Sequence, residues 1–134
     1  MVKVFLVEDE AIIRRGIRDH IDWNANGFEF VGEAGDGEYA YPLIMKTKPD
    51  ILVTDIKMPF MDGFTMGKHL MRTHPGVKLI IFSGFDEFQY AKEAIKLNVV
   101  EYILKPVNAN ELSDCLKRLK DVLDKEREEK LNVR

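Results

Sequence analysis

Several short runs of this chain are apolar at every position rather than at every second one, and this limits the fold more than any other feature. Val4-Phe5-Leu6-Val7, Ile51-Leu52-Val53 and Leu79-Ile80-Ile81-Phe82 offer no polar face to water, so strands built from them must be covered on both sides. Between the runs lie segments with apolar residues at helical spacing: Ile13 and Ile17, then Met66, Leu70 and Met71. Near the end, Leu112, Cys115, Leu116, Leu119, Val122 and Leu123 form a longer stripe of the same kind. Five strand and helix units alternate. Right-handed crossovers between parallel strands then place helices over both faces of one sheet.

The predicted strands cover residues 2–7, 30–34, 51–54, 78–82 and 99–104, and the predicted helices cover 11–18, 38–48, 63–73 and 86–97. A fifth helix starts after a cap at Asn108 or Asn110. Pro42 is expected in the tolerant first turn of the second helix and Pro49 just past its end. Trp23 and Phe28 are expected to pin their own turn-rich loop. The predicted class is α/β, a flavodoxin-like doubly wound five-stranded parallel sheet of order 2-1-3-4-5 with five helices, in a single domain over residues 1–123. Residues 124–134, which are mostly charged, read as a helical extension or the start of a linker.

Composition excludes several classes of function. With 134 residues and 46% hydrophobic content the chain can bury one core without staples, and its single Cys115 suits a reducing compartment. No apolar run approaches the ~20 residues of a membrane span, and Met1-Val2-Lys3 leads straight into a strand without a secretory leader. A cytoplasmic protein is expected. The net charge of -3, with Lys and Arg scattered, leaves no broad basic face for nucleic-acid phosphates.

Parallel strands bring their carboxyl ends to one edge, and open sheets of this kind take ligands there. The polar residues that break the apolar runs fall on that edge: Glu8 and Asp9 after the first strand, Asp55 after the third, Ser83 after the fourth and Lys105 after the fifth. A lone Asp at a strand end is ordinarily a turn former, but agreement among four strands points to a site. Carboxylates gathered without His or Cys select Mg²⁺ over zinc. Mg²⁺, the Lys105 ammonium and the Ser83 hydroxyl together suit phosphoryl transfer to Asp55 as a carboxylate nucleophile. The expected product is an aspartyl phosphate.

Phe5-Leu6-Val7-Glu8-Asp9-Glu10, Asp55-Ile56-Lys57-Met58-Pro59-Phe60-Met61-Asp62-Gly63, Ser83 and Lys105-Pro106 together resemble the receiver domain of two-component response regulators, from Lys3 to about Leu123. The resemblance implies that Asp55 accepts phosphate from a sensor histidine kinase and that Lys105 contacts the phosphoryl group. It implies a Mg²⁺ site made by Glu8, Asp9, Asp55 and the backbone carbonyl of Lys57, and a cis Lys105–Pro106 bond. Ser83 and Tyr102 become the switch pair, the hydroxyl moving toward phosphate and the aromatic turning inward. The fourth helix, fifth strand and fifth helix become the surface that forms a homodimer or meets an output domain. Such a domain is a self-phosphorylating acceptor with weak autodephosphorylation rather than a turnover enzyme.

Ser83-Gly84-Phe85-Asp86-Glu87-Phe88-Gln89-Tyr90-Ala91 and the insertion at residues 23–28 are similar to receivers that precede AraC-type double helix-turn-helix domains. DNA would then be reached only through an output domain beyond Arg134, and the resemblance implies a longer regulator. A stand-alone phosphorelay or protein-binding receiver is the alternative. Glu8 replaces the commoner Asp, Ser83 the commoner Thr and Gly84 the commoner Ala, while Lys57 brings a basic side chain near Asp55; phosphate lifetime is where these departures act.

Two other chemistries share this scaffold. A haloacid-dehalogenase-like phosphohydrolase needs a second Asp at the position of Lys57, and a flavodoxin-like mononucleotide binder needs a first loop free of Glu8-Asp9-Glu10, which repels phosphate. Glu10 reads as an acid of the first helical turn, and Met58, Met61, Met66 and Met71 as packing. His20, His69 and His74 lack ligand spacing.

Overall fold

The computed structural model describes residues 1–56, 63–84 and 100–132. The strands β1 (Val2–Val7), β2 (Phe28–Ala34), β3 (Ile51–Asp55), β4 (Lys78–Ser83) and β5 (Val100–Leu104) form one sheet in the order β2-β1-β3-β4-β5. Every pairing is parallel, as the doubly apolar runs require. The described helices are α1 (Ala11–His20), α2 (Gly37–Thr47), α3 (Gly63–Thr73) and α4 (Ala109–Asn132). This is the flavodoxin-like sheet expected. The helix predicted over residues 86–97 lies outside the described residues, as do Lys57, Met58, Met61 and the greater part of the segment from Ser83 to Ala91.

Alternate strand residues go to opposite faces and build two cores. Val4, Leu6, Ile51, Val53, Ile80, Phe82 and Ile103 pack with Ile17 of α1, with Ile21 just past its end, and with Leu112, Cys115, Leu116, Leu119 and Leu123 of α4. Phe5, Val7, Leu52, Leu79 and Ile81 pack with Ala40 and Ile44 of α2 and with Met66 and Leu70 of α3. Cys115 is part of the first core, and burial pushes its thiol up to about 11, so it stays protonated. Asn108, not Asn110, caps α4, its Oδ1 accepting the N–H groups of Asn110 (2.8 Å) and Glu111 (3.4 Å).

Several local expectations are corrected by packing. β2 begins at Phe28 rather than residue 30, because Gly27, at φ 86°, turns the chain early enough for Val2 to pair with Phe28. Trp23 and Phe28 do more than pin their loop: both are buried in the α1/α4 core. The Trp23 ring stands 5.0 Å from that of Phe30, and its Nε1–H donates to the Arg18 carbonyl at 3.0 Å. Asp36 caps α2 by accepting the Tyr39 N–H at 2.7 Å, so the helix starts at Gly37 and Pro42 lies past its first turn rather than in it. Pro42 and Glu38 are both exposed, so the lost backbone bond falls on the water side. Lys48 is the left-handed cap of α2 (φ 50°) rather than its last helical residue.

Gly32 lies opposite Phe5 at the irregularity between Val4 and Phe5, and a Cβ there would stand 2.7 Å from the Phe5 ring.

The buried stripe of α4 ends at Leu123, but the helix continues to Asn132. Lys78, buried at the start of β4, donates its Nζ to Glu126 Oε1 at 2.8 Å. Arg127 Nη2 pairs with Asp50 Oδ1 at 3.1 Å, while Asp50 Oδ2 accepts the Lys3 N–H at 2.8 Å. Glu126 and Arg127, past the end of the stripe, are therefore tied to the amino edge of the sheet. Among the described residues, no helix is long and apolar enough to cross a membrane.

Candidate functional site

Strand alternation sets the site. Asp55 follows Ile51 and Val53 at a spacing of two, so it lies on the α1/α4 face; Glu8 continues the series of Val4 and Leu6, and Lys105 follows Ile103. The loops that leave the sheet here are tied to the neighbouring strand, the Ile56 N–H donating to the Phe82 carbonyl at 3.0 Å and the Lys105 N–H to the Ser83 carbonyl at 2.9 Å. Asp55 is completely buried at the end of β3, and Lys105 Nζ donates to its Oδ2 at 2.5 Å. The Lys105 side chain is a third exposed, so the ammonium closes the site from the solvent side. The Lys105–Pro106 bond is cis, as the resemblance implies.

Glu8 is buried although acidic. Its Oε1 accepts the Glu10 N–H at 3.3 Å, and its Oε2 has no partner among the described residues. Burial pushes its carboxyl up to about 8, the Asp55 charge adding to the rise and the Glu10 N–H and Lys105 opposing it. The site is short of positive charge. Carboxylate oxygens of Glu8, Asp9 and Glu10 all lie within 4.8 Å of one another. Glu10 belongs to this group although the sequence reading gave it only to the start of α1, where its side chain makes no capping bond. Three consecutive acids at a turn were the available signal. An oxygen-only donor set with an orphaned buried oxygen fits Mg²⁺.

Ser83 and Tyr102 occupy the other face. Ser83 follows Leu79 and Ile81 in β4, is fully buried, and its Oγ has no hydrogen-bond partner among the described residues. Tyr102 pairs in register with Ile81 and packs, half-buried, against the α2/α3 core; burial raises its phenol. The structure thus gathers Glu8, Asp55 and Lys105 on one face and places Ser83 and Tyr102 together on the other. Lys57 lies outside the described residues.

Sequence reading missed two features. Arg14 of α1 donates its Nη1–H to the Glu8 carbonyl at 2.6 Å. Beside Glu8 and Lys105 opens a cavity of about 630 Å³ walled by Ile13, Ile17, Pro106 and Val107.

Comparison with known proteins agrees with this layout. Transcriptional regulatory protein YesN of Bacillus subtilis, described as uncharacterized, is 41% identical over 119 residues, which is 89% of this chain and 32% of YesN. HptR of Staphylococcus aureus is 37% identical over the same share of this chain and 46% of its own length. The chain therefore spans less than half of either regulator. Among solved structures, the receiver domain of AraT, a response regulator from Geobacillus stearothermophilus, matches with TM-score 0.87 and 44% identity, covering 95% of this chain and 99% of that one. A two-component transcriptional regulator AraC from Clostridium phytofermentans matches with TM-score 0.88 and 31% identity, covering 95% and 98%. A family model described as the response regulator receiver domain matches residues 4–117, nearly the whole sheet and the start of α4, and this chain belongs to that family.

Proposed function

We propose that this chain is a phosphorylation-dependent switch in which Asp55 takes a phosphoryl group from the phosphohistidine of a sensor histidine kinase. An Asp55 carboxylate oxygen forms the new P–O bond while the donor's P–N bond breaks, its electron pair leaving with the histidine nitrogen. One observation carries this reading: a fully buried Asp55 carboxylate bonded by Lys105 Nζ at 2.5 Å, on the same face as Glu8, whose Oε2 has no partner among the described residues. Glu8, Asp9, Asp55 and the Lys57 backbone carbonyl would hold Mg²⁺, which supplies neutralisation of the phosphoryl oxygens. Lys105 supplies a second positive charge to the same oxygens.

The phosphoryl group adds acceptors at the carboxyl edge where β4 ends in Ser83, whose buried Oγ has no partner among the described residues, and a bond from that hydroxyl would favour one packing of β4 over another. Tyr102, across the ladder from Ile81, reports that change to the surface of β5 and α4, to which the helix expected from the sequence over residues 86–97 would belong. That surface controls an output domain, with homodimer formation as one route, and residues 124–134 connect it to the receiver of residues 1–123. Its relatives among transcriptional regulators support a DNA-binding output, so DNA is met through that domain and not through this chain. The setting is the cytoplasm. The phosphate is lost slowly to water rather than turned over.

Incubation with Mg²⁺ and a small acyl phosphate tests the reading by intact mass. Wild type should gain one phosphate and Asp55→Asn none; undiminished labelling of Asp55→Asn refutes it.

A further inference from the structure

We propose that Arg14 is a positioning residue for the acidic loop, fixing the Glu8–Asp9 peptide so that the carboxylates face a divalent cation; this rests on the phosphoacceptor reading above. Glu8 stands one residue past the end of β1. Its N–H donates to the Ala34 carbonyl at 3.0 Å, and its carbonyl accepts from Arg14 Nη1 at 2.6 Å. With both backbone groups held and Oε1 on the Glu10 N–H, the peptide cannot rotate, and Oε2 is left for a ligand.

Arg14 is itself braced. Its Nε lies 3.9 Å from Glu33 Oε1, which also accepts Arg18 Nη1 at 2.8 Å. Glu33 lies in β2 and Arg14 in α1, so the brace ties the acidic loop to two elements whose places are fixed by the core. A planar guanidinium can hold a carbonyl and a carboxylate at once, which a Lys ammonium does less well.

The test is Mg²⁺ affinity by isothermal titration calorimetry on this chain, with melting in EDTA as the check on folding. Loss of an outer partner of a metal ligand lowers affinity roughly 10- to 100-fold, and Arg14→Met should fall in that range. Arg14→Lys should lose less, and Glu33→Gln should weaken binding in the same direction. The double variant Arg14→Met with Glu33→Gln should bind no worse than Arg14→Met alone, because one brace is being removed twice. A purely electrostatic effect predicts the opposite for Arg14→Met, since deleting a cation tightens cation binding. A wild type that takes Mg²⁺ beside an Arg14→Met and an Arg14→Lys that take it equally well overturns the role of Arg14 alone. A wild type that takes no Mg²⁺ overturns the phosphoacceptor reading, and the role falls with it.

Discussion

Glu8→Gln in the metal-free protein should raise stability at alkaline pH and leave it nearly unchanged in acid. In the unfolded chain the Glu8 carboxyl titrates near 4.5, while in the fold burial and the Asp55 charge move it to about 8. Below the lower value it is protonated in both states and pH has no effect through this group. Between the two values the folded state binds a proton that the unfolded state has lost, so stability falls as pH rises. Above about 8 both states are ionised and the loss is complete. At about 1.4 kcal/mol per pH unit the whole span has a ceiling of about 5 kcal/mol. Relaxation and water entry lower this, and a neutral Gln of the same shape should recover about 2–4 kcal/mol near pH 8.5 and under about 1 kcal/mol near pH 5. Urea unfolding in EDTA, followed by Trp23 fluorescence, reads the difference directly. Millimolar Mg²⁺ should stabilise the wild type at high pH more than it stabilises Glu8→Gln. A variant no more stable than wild type near pH 8.5, or one equally favoured at both pH values, refutes the assignment of Glu8 as a buried, unbalanced carboxyl.

Lys105→Ala removes the cation that competes with a metal for Asp55, so Mg²⁺ should bind at least as tightly as in wild type while phosphorylation by the small donor slows; loss of the cooperative unfolding transition would make Lys105 a structural strut instead. At the amino edge, Glu126→Gln leaves the Lys78 ammonium buried without its carboxylate. It should cost about 1–3 kcal/mol, below the 3–5 typical of fully buried pairs because Glu126 is half exposed. Adding Lys78→Met to it should recover most of that loss in urea unfolding, and a double variant less stable than Glu126→Gln shows that Lys78 contributes more than charge.

Much of this site is legible because period two is a strong signal in a buried strand. Counting from Leu6, Val53 and Ile103 puts Glu8, Asp55 and Lys105 on one face without any coordinates, and counting from Ile81 puts Ser83 on the other. The sheet order follows from doubly apolar strands and the handedness of their crossovers. What sequence concealed are partners set by tertiary reach. Lys78 and Glu126 are 48 residues apart, and nothing at the amino end of a strand announces that its Lys is buried rather than solvated. The same holds for Trp23, whose burial depends on α1 and α4 closing over a loop that sequence marks only as a turn. Arg14 escaped because its bond is to a backbone carbonyl, a group every residue carries. Glu10 reads as an acid before a helix, a sufficient local role, and only the fold shows its carboxylate within 4.8 Å of those of Glu8 and Asp9.

The length of α4 has a mechanical consequence. At about 1.5 Å of rise per residue, Asn132 stands about 30 Å along the axis from Leu112, so a tilt of about 5° at that end would carry the tip about 3 Å. The ion pairs at Glu126 and Arg127 shorten that arm, since a helix pinned there swings only its last few residues, about 9 Å, and the same tilt moves the tip less than about 1 Å. The pins are charges, one half exposed, and salt weakens such contacts. Freed of those pairs, the helix would act as a lever, turning a displacement too small to disturb the core into one the size of an atom at its far end.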